Sequence, residues 1–138
     1  MLTFPLLHPE LLSALGRSGH GSRILIADGN YPFSTRANPA ATRVFLNLAP
    51  GLLSVTDVLA VLLRAIPVEA AHVMTPDDGI APDICRQFRE LLPPTLELQK
   101  HTRFPFYDLA RDPDCSLVIA TGEQRIYANI LLVIGVVT

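Results

Sequence analysis

The chain has 138 residues, a formal net charge of −2, 49% hydrophobic residues and only 17% charged ones, which fits one domain (1–138) burying about two-thirds of its unfolded surface. The basic residues are scattered, which excludes an electrostatic footprint for nucleic acid. The longest apolar stretches, 52–66 and 130–137, are too short or too interrupted for a bilayer, and the apolar excess predicts surface hidden between subunits of an oligomer.

Leu11, Leu12 and Leu15 at helical spacing predict a first helix over 8–18, entered at His8-Pro9 and left at Gly16 and Gly19. The compact run 23–27 lacks helical period and stops at Asp28-Gly29, so it reads as a buried strand opening into a loop over 28–40. Arg43 to Leu46 reads as a short strand. Ser54 and Asp57 form an S-x-x-D capping pair ahead of Val55, Val58, Leu59, Leu62, Leu63 and Ile66, the clearest helix in the chain. A strand over 68–74 and a loop from Pro76 to Pro82 follow. Ile84, Cys85, Phe88, Leu91 and Leu92 then mark a helix that Pro93-Pro94 stops. Leu96 to Lys100 reads as a strand, Tyr107 to Arg111 as a short helical turn after Pro105, and Leu117–Ala120 and Ile130–Val137 as central strands. Helices alternating with strands that lack a polar face predict an α/β domain: a three-layer sandwich with a largely parallel central sheet flanked by helices.

The N-terminus lacks the pattern of a secretory signal, and Cys85 and Cys115 show neither C-x-x-C spacing nor a disulfide framework, so a cytoplasmic protein is expected. Cys85 reads as core. His72 and His101 have no partner at metal-ligand spacing, and no metal site is expected. No P-loop, G-x-S-x-G or G-x-G-x-x-G motif occurs, which removes support for nucleotide hydrolysis, acyl transfer and dinucleotide binding.

Two constellations carry chemistry. Tyr127 and Asn129 lie two apart at the mouth of the last apolar run, so on an extended segment the phenol and carboxamide would share a face where a polyol could be read. Gly19-His20-Gly21 precedes the first strand, and Asp28-Gly29-Asn30-Tyr31-Pro32 follows it. Imidazole suits proton exchange near neutrality. The plainer readings are a histidine capping the first helix, an Asp-Gly turn former, a core-edge aromatic and an ordinary strand-start asparagine. Arg103, Phe104, Phe106 and Tyr107 form a basic-aromatic patch that could equally be helix packing with a surface cation.

Pro9-Glu10-Leu11-Leu12, Gly19-His20-Gly21, Asp28-Gly29-Asn30-Tyr31-Pro32, Arg103-Phe104-Pro105-Phe106-Tyr107 and Thr121-Gly122-Glu123 with Tyr127-Ala128-Asn129-Ile130-Leu131 together resemble the RbsD/FucU family over essentially the whole length. This family comprises the ribose pyranase and L-fucose mutarotase proteins, and the Arg-Phe-x-Phe-Tyr piece and the His-Gly pair are closer to the fucose branch. The resemblance implies a decamer of two stacked pentameric rings, sugar sites at subunit boundaries and no metal or organic cofactor. It also implies that His20 is the catalytic histidine, Asp28 its paired acid, and Tyr127 and Asn129 the sugar-contacting pair. Arg103 and Tyr107 would line the pocket. Asn30 stands where the fucose branch typically has His, and an Asn cannot exchange protons near neutral pH.

The expected activity is therefore a mutarotase interconverting anomers of L-fucose or a related monosaccharide. The alternatives are a D-ribose pyranase, and a non-catalytic sugar-binding or transport-accessory protein if the loss of histidine at position 30 has removed turnover.

Overall fold

The computed structural model describes residues Met1–Thr138. Four helices, α1 (Pro9–Gly16), α2 (Val55–Leu62), α3 (Ile84–Leu91) and α4 (Arg103–Arg111), surround a six-stranded sheet. The strands are β1 (Arg23–Ala27), β2 (Thr42–Phe45), β3 (Val68–Met74), β4 (Leu98–His101), β5 (Cys115–Ala120) and β6 (Ile130–Ile134). Their order is β2-β5-β1-β6-β3-β4. The pairs β2–β5, β1–β5 and β3–β4 are parallel, as expected, whereas β6 runs antiparallel to both of its neighbours, β1 and β3. Hydrophobicity could not report that reversal, because a strand buried on both faces reads as the same apolar run in either direction.

The sheet buries two unequal faces. Ile24, Ile26, Ile119, Ile130 and Leu132 point into the larger core with Leu11 of α1, Leu59 and Leu62 of α2 and Phe88 of α3. Leu25, Ala27, Val118 and Leu131 point the other way, against Phe106 and Ala110 of α4 and against Tyr31, Ala37 and Ala41 of the loop after β1. Alternation along β1 and β6 thus feeds both layers.

Local signals explain the boundaries. At α2 the Ser54 hydroxyl accepts from the Asp57 backbone N–H at 3.1 Å while the Asp57 carboxylate accepts from the Ser54 N–H at 3.2 Å, a reciprocal capping box. Helix α4 begins one turn earlier than the sequence suggests, at Arg103 instead of Tyr107. Pro105 lies in its first turn, where an absent N–H costs no intrahelical bond, so the proline that looks like a breaker is accommodated. Strand β6 ends at Ile134, and Gly135–Thr138 continue without strand pairing. Gly122 has no room for a side chain, because a Cβ there would collide with the carbonyls of Ala49 and Leu52, where the 47–53 loop crosses it.

Candidate active site at the end of strands β1 and β6

β1 and β6 are antiparallel, so the loop leaving β1 and the loop entering β6 meet at one edge of the sheet. Asp28 and Asn129 face each other there, both 3% exposed. The Asp28 backbone N–H donates to Asn129 Oδ1 at 2.8 Å, and Asn129 Nδ2 donates back to Asp28 Oδ2 at 2.9 Å. Asp28 Oδ1 accepts the Asn30 backbone N–H at 2.9 Å. Asp28 is therefore the turn former of the plain reading and a site group at once. Burial pushes its carboxyl upward, opposed by the bonds from Asn30 and Asn129.

Tyr127 reaches this place by a different route from the one expected. It lies in a turn, not on an extended segment, with φ at +61°. The shared-face reasoning for Tyr127 and Asn129 fails, yet both line one cavity of about 330 Å³. A bulky residue in the left-handed region costs of order 1–3 kcal/mol and persists where its surroundings over-determine it. Here the surroundings are a pinned loop. The Glu123 carboxylate is 5% exposed and accepts from Arg125 Nε at 2.9 Å, Arg125 Nη2 at 2.7 Å, the Arg125 backbone at 3.0 Å and the Val55 N–H at the start of α2 at 3.2 Å. The Arg125 guanidinium is the largest reason that Glu123 is held down to about 2.

The same cavity is lined by Asn30, Arg103 and Tyr107, with Tyr31, Met74 and Ile126 supplying apolar wall. Tyr107 is set by an edge-to-face contact with buried Tyr31 at 5.5 Å, and the Arg36 guanidinium lies 5.6 Å over its ring. The basic-aromatic patch is thus both packing and lining. Phe106 is fully buried under the sheet, while Arg103 rests over the Phe104 ring at 4.6 Å and lines the cavity. A second, more polar cleft of about 420 Å³ lies beyond Asn30, between the 47–50 loop and Thr121–Gln124.

Six of the seven predicted site residues therefore meet within one chain: Asp28, Asn30, Arg103, Tyr107, Tyr127 and Asn129. His20 does not. It lies in the turn before β1, at the opposite end of a strand whose five residues alone span roughly 13 Å. It does not cap α1, whose last turn is closed by backbone bonds to Ala14 and Leu15. Its Nε2 instead lies 2.9 Å from Glu69 Oε2 on β3, so the carboxylate beside the His20 ring is that of Glu69 and not of Asp28.

Sequence reasoning also missed a second imidazole contact. His72 Nδ1 and His101 Nε2 are 3.0 Å apart across β3 and β4. Desolvation and the neighbouring ring depress His72 from 6.5 to about 4, and desolvation lowers His101 as well. Their separation of 29 residues hides the pair from any local motif.

An open α/β sheet with buried polar groups converging where two strands end, beside a strained aromatic, defines the class: a small-molecule site on a doubly covered sheet. The chain belongs to the RbsD / FucU transport protein family, whose model matches residues 1–137. It is 35% identical to the fucose mutarotase of Mus musculus over 144 residues, covering 91% of this chain and 87% of that protein. It is 36% identical to the D-ribose pyranase of Paracidovorax citrulli, covering 95% of each. The structure of Bacillus subtilis RbsD complexed with D-ribose superposes with a TM-score of 0.86 at 28% identity, over 100% of both chains.

Proposed function

We propose that this chain is a monosaccharide mutarotase that interconverts the α and β anomers of L-fucose or a related sugar. The observation that carries the reading is the convergence of Asp28, Tyr127, Asn129, Arg103 and Tyr107 on one cavity large enough for a monosaccharide. Identity does not separate fucose from ribose relatives, at 35% and 36%. The apolar wall of Met74 and Ile126 beside Arg103 and Tyr107 favours a hexose carrying an apolar substituent. The D-ribose pyranase alternative draws on the relative at 36% identity, and Asn30, which brings no titratable group to the rim, favours instead the non-catalytic sugar-binding reading.

The reaction needs a base at the anomeric hydroxyl and an acid at the ring oxygen. In this reading His20 of a neighbouring subunit takes the O1 proton as the C1–O5 bond breaks, and the Tyr127 hydroxyl gives its proton to O5. Rotation about C1–C2 turns the other face of the aldehyde toward O5. On reclosure O5 returns its proton to Tyr127 and O1 recovers one from His20, so no proton is gained or lost. Asp28 holds a sugar hydroxyl. Asn129 already spends its carbonyl and one N–H on Asp28, so its main task is to hold that carboxylate, with its remaining N–H open to the sugar.

A neighbouring subunit is required because the His20 side chain is 59% exposed at the far end of β1. That need supports an oligomer, for which the family resemblance implies two stacked pentameric rings, and the two free, buried cysteines are compatible with work in the cytoplasm. No helix is long and apolar enough to cross a membrane.

His20→Gln tests the mechanism by saturation-transfer NMR between the anomers of L-fucose. Exchange is expected to fall by about 10²–10⁴-fold with the melting temperature unchanged, and unaltered exchange removes His20 from the reaction. A panel of fucose, ribose, galactose and rhamnose at equal enzyme concentration separates mutarotase from pyranase.

A further inference from the structure

Resting on that reading, we infer that Glu69 is the positioning residue of His20, fixing its ring so that Nδ1 exchanges the sugar proton. The contact is a single one, Nε2 to Oε2 at 2.9 Å, between side chains 59% and 44% exposed. Ion pairs this open to water add little to a fold, so stability does not account for the arrangement. A carboxylate can only accept, so the hydrogen in this contact sits on Nε2, leaving the lone pair of the neutral ring on Nδ1.

The backbone holds both partners to the same place. The Gly21 N–H donates to the Ile134 carbonyl at 2.9 Å and the Ile134 N–H donates to Ser22 at 2.9 Å, so the His20 turn is tied to the end of β6. Val68, next to Glu69, pairs with that same Ile134, and Gly135 lies so close that a Cβ there would sit 3.2 Å from Glu69 Cβ. Gly21 has φ at +83°, a conformation that favours glycine and swings the chain from His20 into β1. The spacing of imidazole and carboxylate is therefore set by sheet hydrogen bonds, not by two floppy side chains meeting by chance. No other carboxylate is bonded to the ring.

The role separates from plain structure by tautomer and by the split between kcat and KM. With ¹⁵N-labelled histidine above pH 8, long-range ¹H–¹⁵N spectra of His20 are expected to show the Nε2–H form in the unmodified protein and a mixture in Glu69→Ala. Glu69→Ala is expected to lower kcat for anomer exchange about 10–100-fold, a fraction of a full acid-base contribution, with KM within about twofold. Glu69→Gln, whose amide oxygen still accepts from Nε2–H, is expected to restore the tautomer and part of the rate. An unchanged tautomer, an unchanged kcat, or a rise in KM alone in Glu69→Ala overturns the inference. If His20→Gln leaves exchange intact, the proposed mechanism is what fails, and the tautomer measurement still reports on the Glu69 contact.

Discussion

The two ends of β1 are built on opposite terms. At the Asp28 end the central polar groups are buried and bonded: Asp28 and Asn129 exchange two hydrogen bonds, and the buried Glu123 carboxylate, bound to Arg125, braces the turn that carries Tyr127. At the His20 end one imidazole and one carboxylate face solvent with a single bond between them. The first end is assembled within one chain, while in the proposed mechanism the second meets its sugar only against another chain. Preorganisation at one end and exposure at the other suit the proposed site shared between subunits, because the costly desolvation of the buried carboxylate is met during folding and the imidazole stays free to face a neighbour's pocket.

Complementation probes that contrast most forcefully. His20→Gln and Tyr127→Phe should each reduce exchange by about 10²–10⁴-fold. Chains of the two kinds, unfolded together and reassembled, should regain about a quarter of full activity, because random pairing across a heterologous interface joins an intact pocket to an intact histidine in about one site in four. No recovery would place both groups in the same subunit's site.

The next effect is on stability and belongs to the braced end alone. Asn129→Leu leaves the buried Asp28 carboxylate and its own backbone N–H short of partners, and should cost about 2–3 kcal/mol in urea unfolding. His20→Gln should cost nothing measurable in the same assay. Equal losses in the two variants would erase the distinction between the ends.

A smaller effect is read in acid. His72 is held neutral, its folded value near 4 lying below the ordinary 6.5. The unfolded chain thus binds the extra proton first, and the associated stability, fully present above pH 6.5, is lost as pH falls toward 4. Thermal melts of His72→Phe should decline less steeply across that window than those of the parent, and parallel curves would contradict the burial of this imidazole. Ser54→Ala should have the least reach, removing about 1 kcal/mol through the α2 cap while anomer exchange stays unchanged.

What the sequence displays, and what it conceals, follows the range of the interactions. The Ser54–Asp57 cap, the Asp28-Gly29 stop and the apolar runs of β1, β5 and β6 are local patterns, and the structure carries all of them. The placing of Asp28 and Asn129 side by side spans 101 residues, and the His20–Glu69 contact spans 49. Neither has a spacing rule, so only family resemblance could suggest the first and nothing pointed to the second. Tyr127 misled for a subtler reason. Its flanking residues look like a strand entrance, and the left-handed turn is imposed from outside by Glu123, Arg125 and the start of α2.

The placement of β6 has a consequence for how the molecule is made. The strands β2, β5 and β1 form one ribbon and β3 and β4 another, and β6 alone seams them together. The seam is written after both ribbons, so a chain that stops at residue 120 holds the strands of two half-sheets with raw edges and no means of joining them. Closure waits for residues 130–134, a pairing of high sequence separation that predicts slow maturation and a nascent chain dependent on protection until its final strand arrives.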